Sequence, residues 1–167
     1  MIIALYGKSS SGKTTLAKAL KQRLDCPIRH CGEIVKEKAK SLNVPLGDLP
    51  VHVHRAIDLE TSSWTDGQQG ISIVEGRYLH HVLTQSAAAV RLIEVICDDS
   101  VRETRWAARL QHSFGTEDLQ ALDSSDSEFV TDMYHGLSPH APDLSVNATS
   151  AEVESCIQKI LLHLSLV

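Results

Sequence analysis

The run Gly7-Lys8-Ser9-Ser10-Ser11-Gly12-Lys13-Thr14 follows directly on the apolar stretch Ile2-Ile3-Ala4-Leu5-Tyr6 and leads into Thr15-Leu16-Ala17-Lys18-Ala19-Leu20. A polyphosphate needs many N–H donors converging on it. Glycines at both ends of such a loop let the main chain itself form that cradle, where side chains would obstruct it. The context suits this reading: residues 2–6 have the composition of a buried parallel strand, and Leu16, Ala19, Leu20 and Leu24 recur with helical spacing. The segment is therefore expected to be a strand, a phosphate-binding loop and a helix. Its ligand is expected to be a nucleoside triphosphate, ATP, with Mg²⁺. Gly7, Ser9, Ser10, Ser11, Gly12, Lys13, Thr14 and Thr15 are the candidate nucleotide-binding residues. Lys13 is suited to the β/γ-phosphates and the Thr14 hydroxyl to the metal, with the helix N-terminus adding its positive dipole end.

The rest of the chain alternates between strand and helix. Further strands are expected at Pro27–His30, Ile71–Glu75, Arg91–Cys97 and Asp143–Asn147. Helices are expected at Glu33–Ser41, from about Leu49 to Ser62 with Asp48 as cap and Pro50 in the first turn, near Tyr78 to Thr84, from Ser100 to about His112, over an acidic stretch from Glu117 to Tyr134, and from Ser150 to Leu164. A loop is expected from Thr65 to Gly70. Such alternation predicts an α/β fold with a parallel sheet. Ligands of these sheets collect beyond the carboxyl ends of the strands. That rule groups the loop at residues 7–14 with Gly32-Glu33, Glu75-Gly76-Arg77 and Asp98.

A chain of 167 residues fits a single domain, here 1–167, and a net charge of −5 with 43% hydrophobic residues implies a soluble protein. Neither a nucleic-acid polymer nor a membrane is an expected partner: no basic cluster is present, the apolar windows are too short to span a bilayer, and residues 1–6 read as the first strand and not as a signal peptide. A cytoplasmic location is expected, with Cys26, Cys31, Cys97 and Cys156 as reduced thiols. His52-x-His54 and His80-His81 lack the flanking ligands of a zinc site. Charge is unevenly spread. No Lys or Arg occurs from Leu110 to Gln158, a stretch rich in Asp and Glu, so the cations of a phosphate site must come from the earlier part.

The phosphate loop, His30-Cys31-Gly32-Glu33-Ile34-Val35-Lys36, Glu75-Gly76-Arg77, the helix with Arg102, Arg105 and Arg109, and Asp143-Leu144-Ser145-Val146-Asn147-Ala148-Thr149 together resemble the nucleoside monophosphate kinases, and among them the cytidylate kinase-like branch. The resemblance runs through nearly the whole chain in order. It implies a P-loop NTPase-type three-layer fold with a five-stranded parallel sheet flanked by helices. It also implies an acceptor-binding region at about 30–65, a lid at about 109–138, a monomer, and ATP-dependent phosphoryl transfer to a small-molecule acceptor such as CMP. Carried over onto this sequence, Gly32, Glu33, Lys36, Arg55, Asp58 and Arg77 become acceptor-site candidates. Lys36 stands where the family has an arginine, and a lysine supplies a point charge without the bidentate fork. Arg105 and Arg109, four apart and so on one helix face, become the candidate clamp on the transferring group, with Arg109 the better match. Glu75 and Asp98 end strands beside the loop, and either suits Mg²⁺ together with Thr14, Glu75 being preferred.

The sequence departs from the family in its lid. Further arginines are usual there, and this chain has Leu122-Asp123-Ser124-Ser125-Asp126 instead. Three readings follow: a nucleotide kinase that manages without them, a kinase of a non-nucleotide alcohol, and a nucleotide-binding regulator without turnover.

Overall fold

The computed structural model describes residues 1–110 and 119–166. Residues 111–118, expected to hold the end of the Ser100 helix and the start of the acidic one, lie outside them. Five strands, β1 (Ile2–Tyr6), β2 (Ile28–His30), β3 (Ser72–Gly76), β4 (Val90–Ile96) and β5 (Leu144–Asn147), form one parallel sheet in the order β2-β3-β1-β4-β5. Between them run α1 (Lys13–Leu24), α2 (Cys31–Leu42), α3 (Val51–Asp66), α4 (Leu79–Val82), α5 (Asp99–Leu110) and α6 (Leu119–Met133), and α7 (Val153–His163) closes the chain.

The strand β1 is apolar throughout because it is central and covered on both faces. Successive side chains alternate between those faces. Ile3 and Leu5 pack with Leu16 and Leu20 of α1 and Ile157, Ile160 and Leu161 of α7, whereas Ile2, Ala4 and Tyr6 pack with Val74, Leu92 and the α4 region residues Leu79 and Leu83. A smaller cluster of Ala39, Leu49 and Ile57 joins α2 to α3. All four cysteines are free thiols.

Both ends of α3 differ from expectation. The helix expected from Leu49 starts at Val51, with Pro50 in extended geometry as its cap, and Asp48 sits in a separate 3₁₀ turn and makes no side-chain cap. Proline disfavours helical geometry in the residue before it, so Leu49 cannot begin the helix. At its other end α3 runs on to Asp66, into the expected loop. The hydroxyls of Thr61 and Thr65 are satisfied inside the helix, donating to Ile57 O (2.8 Å) and Thr61 O (2.7 Å). Buried in this way, the two threonines no longer favour a turn.

Candidate functional site

The loop after β1 emerges where the strand order reverses, with β3 on one side and β4 on the other. Its shape depends on left-handed backbone at Gly7 (φ +142°), Ser10 (φ +60°) and Gly12 (φ +103°). A Cβ at Gly7 would lie 2.5 Å from Val95 O of β4, so the close approach to that strand admits only glycine. Lys13 opens α1 and is 7% exposed, with its Nζ donating to Lys8 O at 2.6 Å and lying 3.5 Å from Ser11 Oγ. Burial lowers its pKa to about 8, opposed by the charge of Glu75. Ser10 Oγ is buried without a hydrogen-bond partner among the described residues. A loop with a buried amine and an unsatisfied hydroxyl fits a polyphosphate, which supplies acceptors for both.

At the second residue of α1, Thr14 Oγ1 donates to Glu75 Oε1 at 3.2 Å. The parallel register sets His30 of β2 beside Glu75 of β3, and His30 Nδ1 lies 3.1 Å from the same oxygen. Asp98 is placed differently. Its side chain is exposed, its N–H donates to Thr149 Oγ1 at 2.8 Å, and its carbonyl accepts from Val101 and Arg102 at the start of α5. Of the two carboxylates considered for Mg²⁺, Glu75 is the one at Thr14. A hydroxyl and a carboxylate are oxygen donors of the kind that would hold a magnesium ion, directly or through water. No cage of three or more His, Cys, Asp or Glu exists among the described residues.

The arginines of α5 divide their work. Arg105 donates from Nη2 to Ala148 O at 2.8 Å and from Nη1 to Ser11 O at 3.4 Å and Cys97 Sγ at 3.2 Å. These bonds tie the phosphate loop to β4 and to the turn after β5, a structural engagement that differs from the clamp expected of it. Arg109, on the last turn of α5, is exposed with its guanidinium 5.9 Å from the Trp106 ring, and its charge contributes to lowering the pKa of Lys13. Arg102 is 1% exposed. Its Nε donates to Ser9 O at 2.8 Å, its two terminal nitrogens fork onto Asp123 of α6 at 2.8 Å each, and Nη1 also reaches Asp99 at 2.6 Å.

On the acceptor side, Arg77 pairs with Asp126 of α6 and lies over the Tyr78 ring at 5.3 Å, while Asp126 also accepts from Tyr78 Oη at 2.6 Å. A cavity of about 450 Å³ opens here, lined by Lys8, Ser11, Arg77, Arg102 and Asp126 among others. Glu33 lies instead in a groove of about 260 Å³ with Arg29, His30, Glu37 and Trp64. Gly32, Lys36 and Arg55 are exposed on α2 and α3, and the described lining of neither cavity includes them. The structure thus gathers Arg77 with the phosphate loop and leaves the α2 candidates outside that cavity.

The sequence profile of the AAA domain matches residues 3–129, more than two thirds of the sequence. The chain belongs to the AAA domain family. No curated protein matches it. Among solved structures, this AAA domain protein is similar to a gluconokinase from Sinorhizobium meliloti 1021 (14% identity, TM-score 0.65, 98% of this chain and 90% of that one). It is also similar to a sugar kinase from Janibacter sp. HTCC2649 (17%, 0.66, 99% and 95%) and to a shikimate kinase from Acinetobacter baumannii in complex with shikimate (13%, 0.63, 98% and 93%). The three-layer α/β architecture is that of P-loop kinases.

Three features of the AAA domain site escaped sequence reasoning. His30 at Glu75, Asp123 at Arg102 and Asp126 at Arg77 are all partnerships between distant segments. For the two aspartates the cation-free acidic stretch was the available signal, since carboxylates that become buried must draw cations from elsewhere. Asp58, carried over as an acceptor-site candidate, is absent from the described lining of both cavities. It accepts from Tyr134 Oη at 2.9 Å, joining α3 to the end of α6, and burial raises its pKa to about 6 although that hydrogen bond pulls the other way. The folded protein therefore binds more protons than the unfolded chain between about pH 4 and pH 6, so this stability is full below the unfolded pKa and lost as pH rises through about 6. Asp58→Asn keeps an acceptor for Tyr134 without the charge. It is expected to be more stable than wild type at pH 7 by about 1–3 kcal/mol, with the advantage gone near pH 4. Urea unfolding at pH 4, 5, 6 and 7 measures this, and equal stabilities at pH 7 would contradict it.

Proposed function

We propose that this chain is a Mg²⁺- and ATP-dependent kinase that transfers the γ-phosphoryl group to a hydroxyl of a small acceptor held in the cavity beside the phosphate loop. The observation that carries the reading is the contact of Thr14 with Glu75 one residue from the buried amine of Lys13, at the mouth of the loop. Lys13 and the loop amides would bind the donor phosphates, and Thr14 with Glu75 would hold the metal, directly or through water. A magnesium ion held by Thr14 and Glu75 would supply positive charge to the donor phosphates. Arg109, whose field reaches Lys13, is suited to charge that develops on the transferring group. Phosphorus exchanges its bond to the ADP oxygen for one to the acceptor oxygen, and where that oxygen is a hydroxyl its proton passes to water. No side-chain nucleophile is needed; the protein contributes positioning and electrostatics.

Two acceptor classes have support. The resemblance to cytidylate kinase-like enzymes favours a nucleoside monophosphate, with Lys36 and Arg55 as exposed cations for its phosphate. The similarity to kinases named for gluconate and shikimate favours a non-nucleotide alcohol. We favour the second. The test is ADP release from Mg·ATP with CMP, UMP, dCMP, AMP and GMP, and separately with sugars, polyols, amino alcohols and hydroxy acids. Stimulation by a non-nucleotide alcohol is the expected result, and stimulation by a nucleotide alone would reassign the acceptor. ATP binding without stimulation by any of them would replace the kinase by a nucleotide-binding regulator.

A further inference from the structure

The cavity beside the phosphate loop carries three cationic side chains, Lys8, Arg77 and Arg102. In a site for a phosphorylated acceptor these would face the ligand's anion. Here the protein supplies the anions itself. Arg77 pairs with Asp126, Arg102 is held by Asp99 and by the forked Asp123, and Lys8 Nζ lies 3.6 Å from Asp123 Oδ2. Glu94 lines the same cavity, so Glu94, Asp99 and Asp126 match the three cations in number before Asp123 is added. His80 and His81, also in the lining, add little positive charge near neutral pH, because burial lowers both of their pKa values.

These carboxylates are not loose substitutes that an incoming phosphate would push aside. Arg102 is 1% exposed, and separating it from Asp123 would leave a buried guanidinium with only the solvent-exposed Asp99 as counter-ion. Asp126 is fixed from two sides, by Arg77 and by the Tyr78 hydroxyl. The helix that carries both carboxylates is in turn held to α3 by Tyr134 on Asp58 and by Phe129, whose ring lies 4.8 Å from His54 and 5.2 Å from Tyr78.

We infer that Asp126, backed by Asp123, is a specificity determinant that excludes anionic acceptors, so that the cavity takes a neutral or amine-bearing, hydroxyl-rich molecule in place of a phosphomonoester or a carboxylic acid. The inference rests on the kinase reading above and narrows its acceptor. A bound dianion would meet the Asp126 carboxylate at close range in a partly dehydrated cavity, where like charges repel strongly. A neutral alcohol instead finds acceptors for its hydroxyl protons in Asp126 and Glu94.

Two measurements test this. The first is kcat/KM of the wild type for neutral polyols and amino alcohols against CMP, UMP, gluconate and shikimate. The second is calorimetric binding of CMP to wild type and to Asp126→Asn, which keeps the shape of the side chain and an acceptor for Tyr78. The best neutral or aminated acceptor is expected to exceed every anionic one by about tenfold or more, and the variant is expected to bind CMP about tenfold more tightly. A wild type that prefers CMP or a hydroxy acid would overturn the inference, as would a variant whose CMP affinity stays within twofold of wild type. If no acceptor stimulates ADP release, the kinase reading falls, and the CMP binding ratio alone decides the charge filter.

Discussion

Lys13→Ala is expected to lower kcat/KM for phosphoryl transfer by about a thousandfold, with the loss mainly in kcat. The amine is fixed inside the loop, within 2.6 Å of Lys8 O, so its charge lies where the β- and γ-phosphates would rest and needs no reorganisation as charge develops. Stability should not follow activity down. Burial lowers the pKa of Lys13 to about 8, which means that the folded protein carries this cation at a cost. An alanine variant with an unchanged or higher melting temperature and almost no acceptor-stimulated ADP release is the predicted pair of results. Turnover within tenfold of wild type would remove Lys13 from the mechanism.

Arg102→Ala is expected to have the opposite profile. Removing the guanidinium leaves Asp123 with only the exposed Lys8 amine, Asp99 without this arginine and Ser9 O without its donor. Truncating one side of a buried ion pair costs about 3–5 kcal/mol, so the melting temperature should drop by roughly 10 °C. Affinity for ATP should weaken as well, because Arg102 holds the phosphate loop through its main chain. The double variant Arg102→Ala/Asp123→Asn should recover part of the lost stability, since the orphaned charge is then gone. A single variant within about 0.5 kcal/mol of wild type would mean that solvent, not Asp123, satisfies this arginine.

The two variants differ because their residues were legible to different degrees. Lys13 announces its role through a local pattern: glycine spacing, a preceding apolar strand and a following helix determine the loop whatever the remaining chain does. Arg102 appeared in the sequence only as one of three regularly spaced arginines on α5. Its burial, and the fact that it supports the loop from behind, come from Asp123, twenty-one residues away on another helix. Arg105 followed the same course. Spacing put it on the face of Arg109, yet its donors go to Ser11 O, Cys97 and Ala148 O, two of which belong to segments brought alongside only by the packing of β4 and β5.

By itself the sequence determined the phosphate loop, the alternation of strand and helix, the parallel sheet, and the set of strand ends from which site residues could come. Each of these follows from interactions within a few residues: backbone freedom at glycine, side-chain period and the register of apolar positions. The tertiary structure decided which of those ends meet. Although β3 and β4 both flank β1, Glu75 stands in register with Leu5 and reaches Thr14, whereas Asp98 lies beyond the end of β4, and the packing of α6 sets its aspartates against Arg77 and Arg102. Charge pairing acts over only a few ångströms, so it is fixed by strand order and helix packing, and those depend on the whole chain at once.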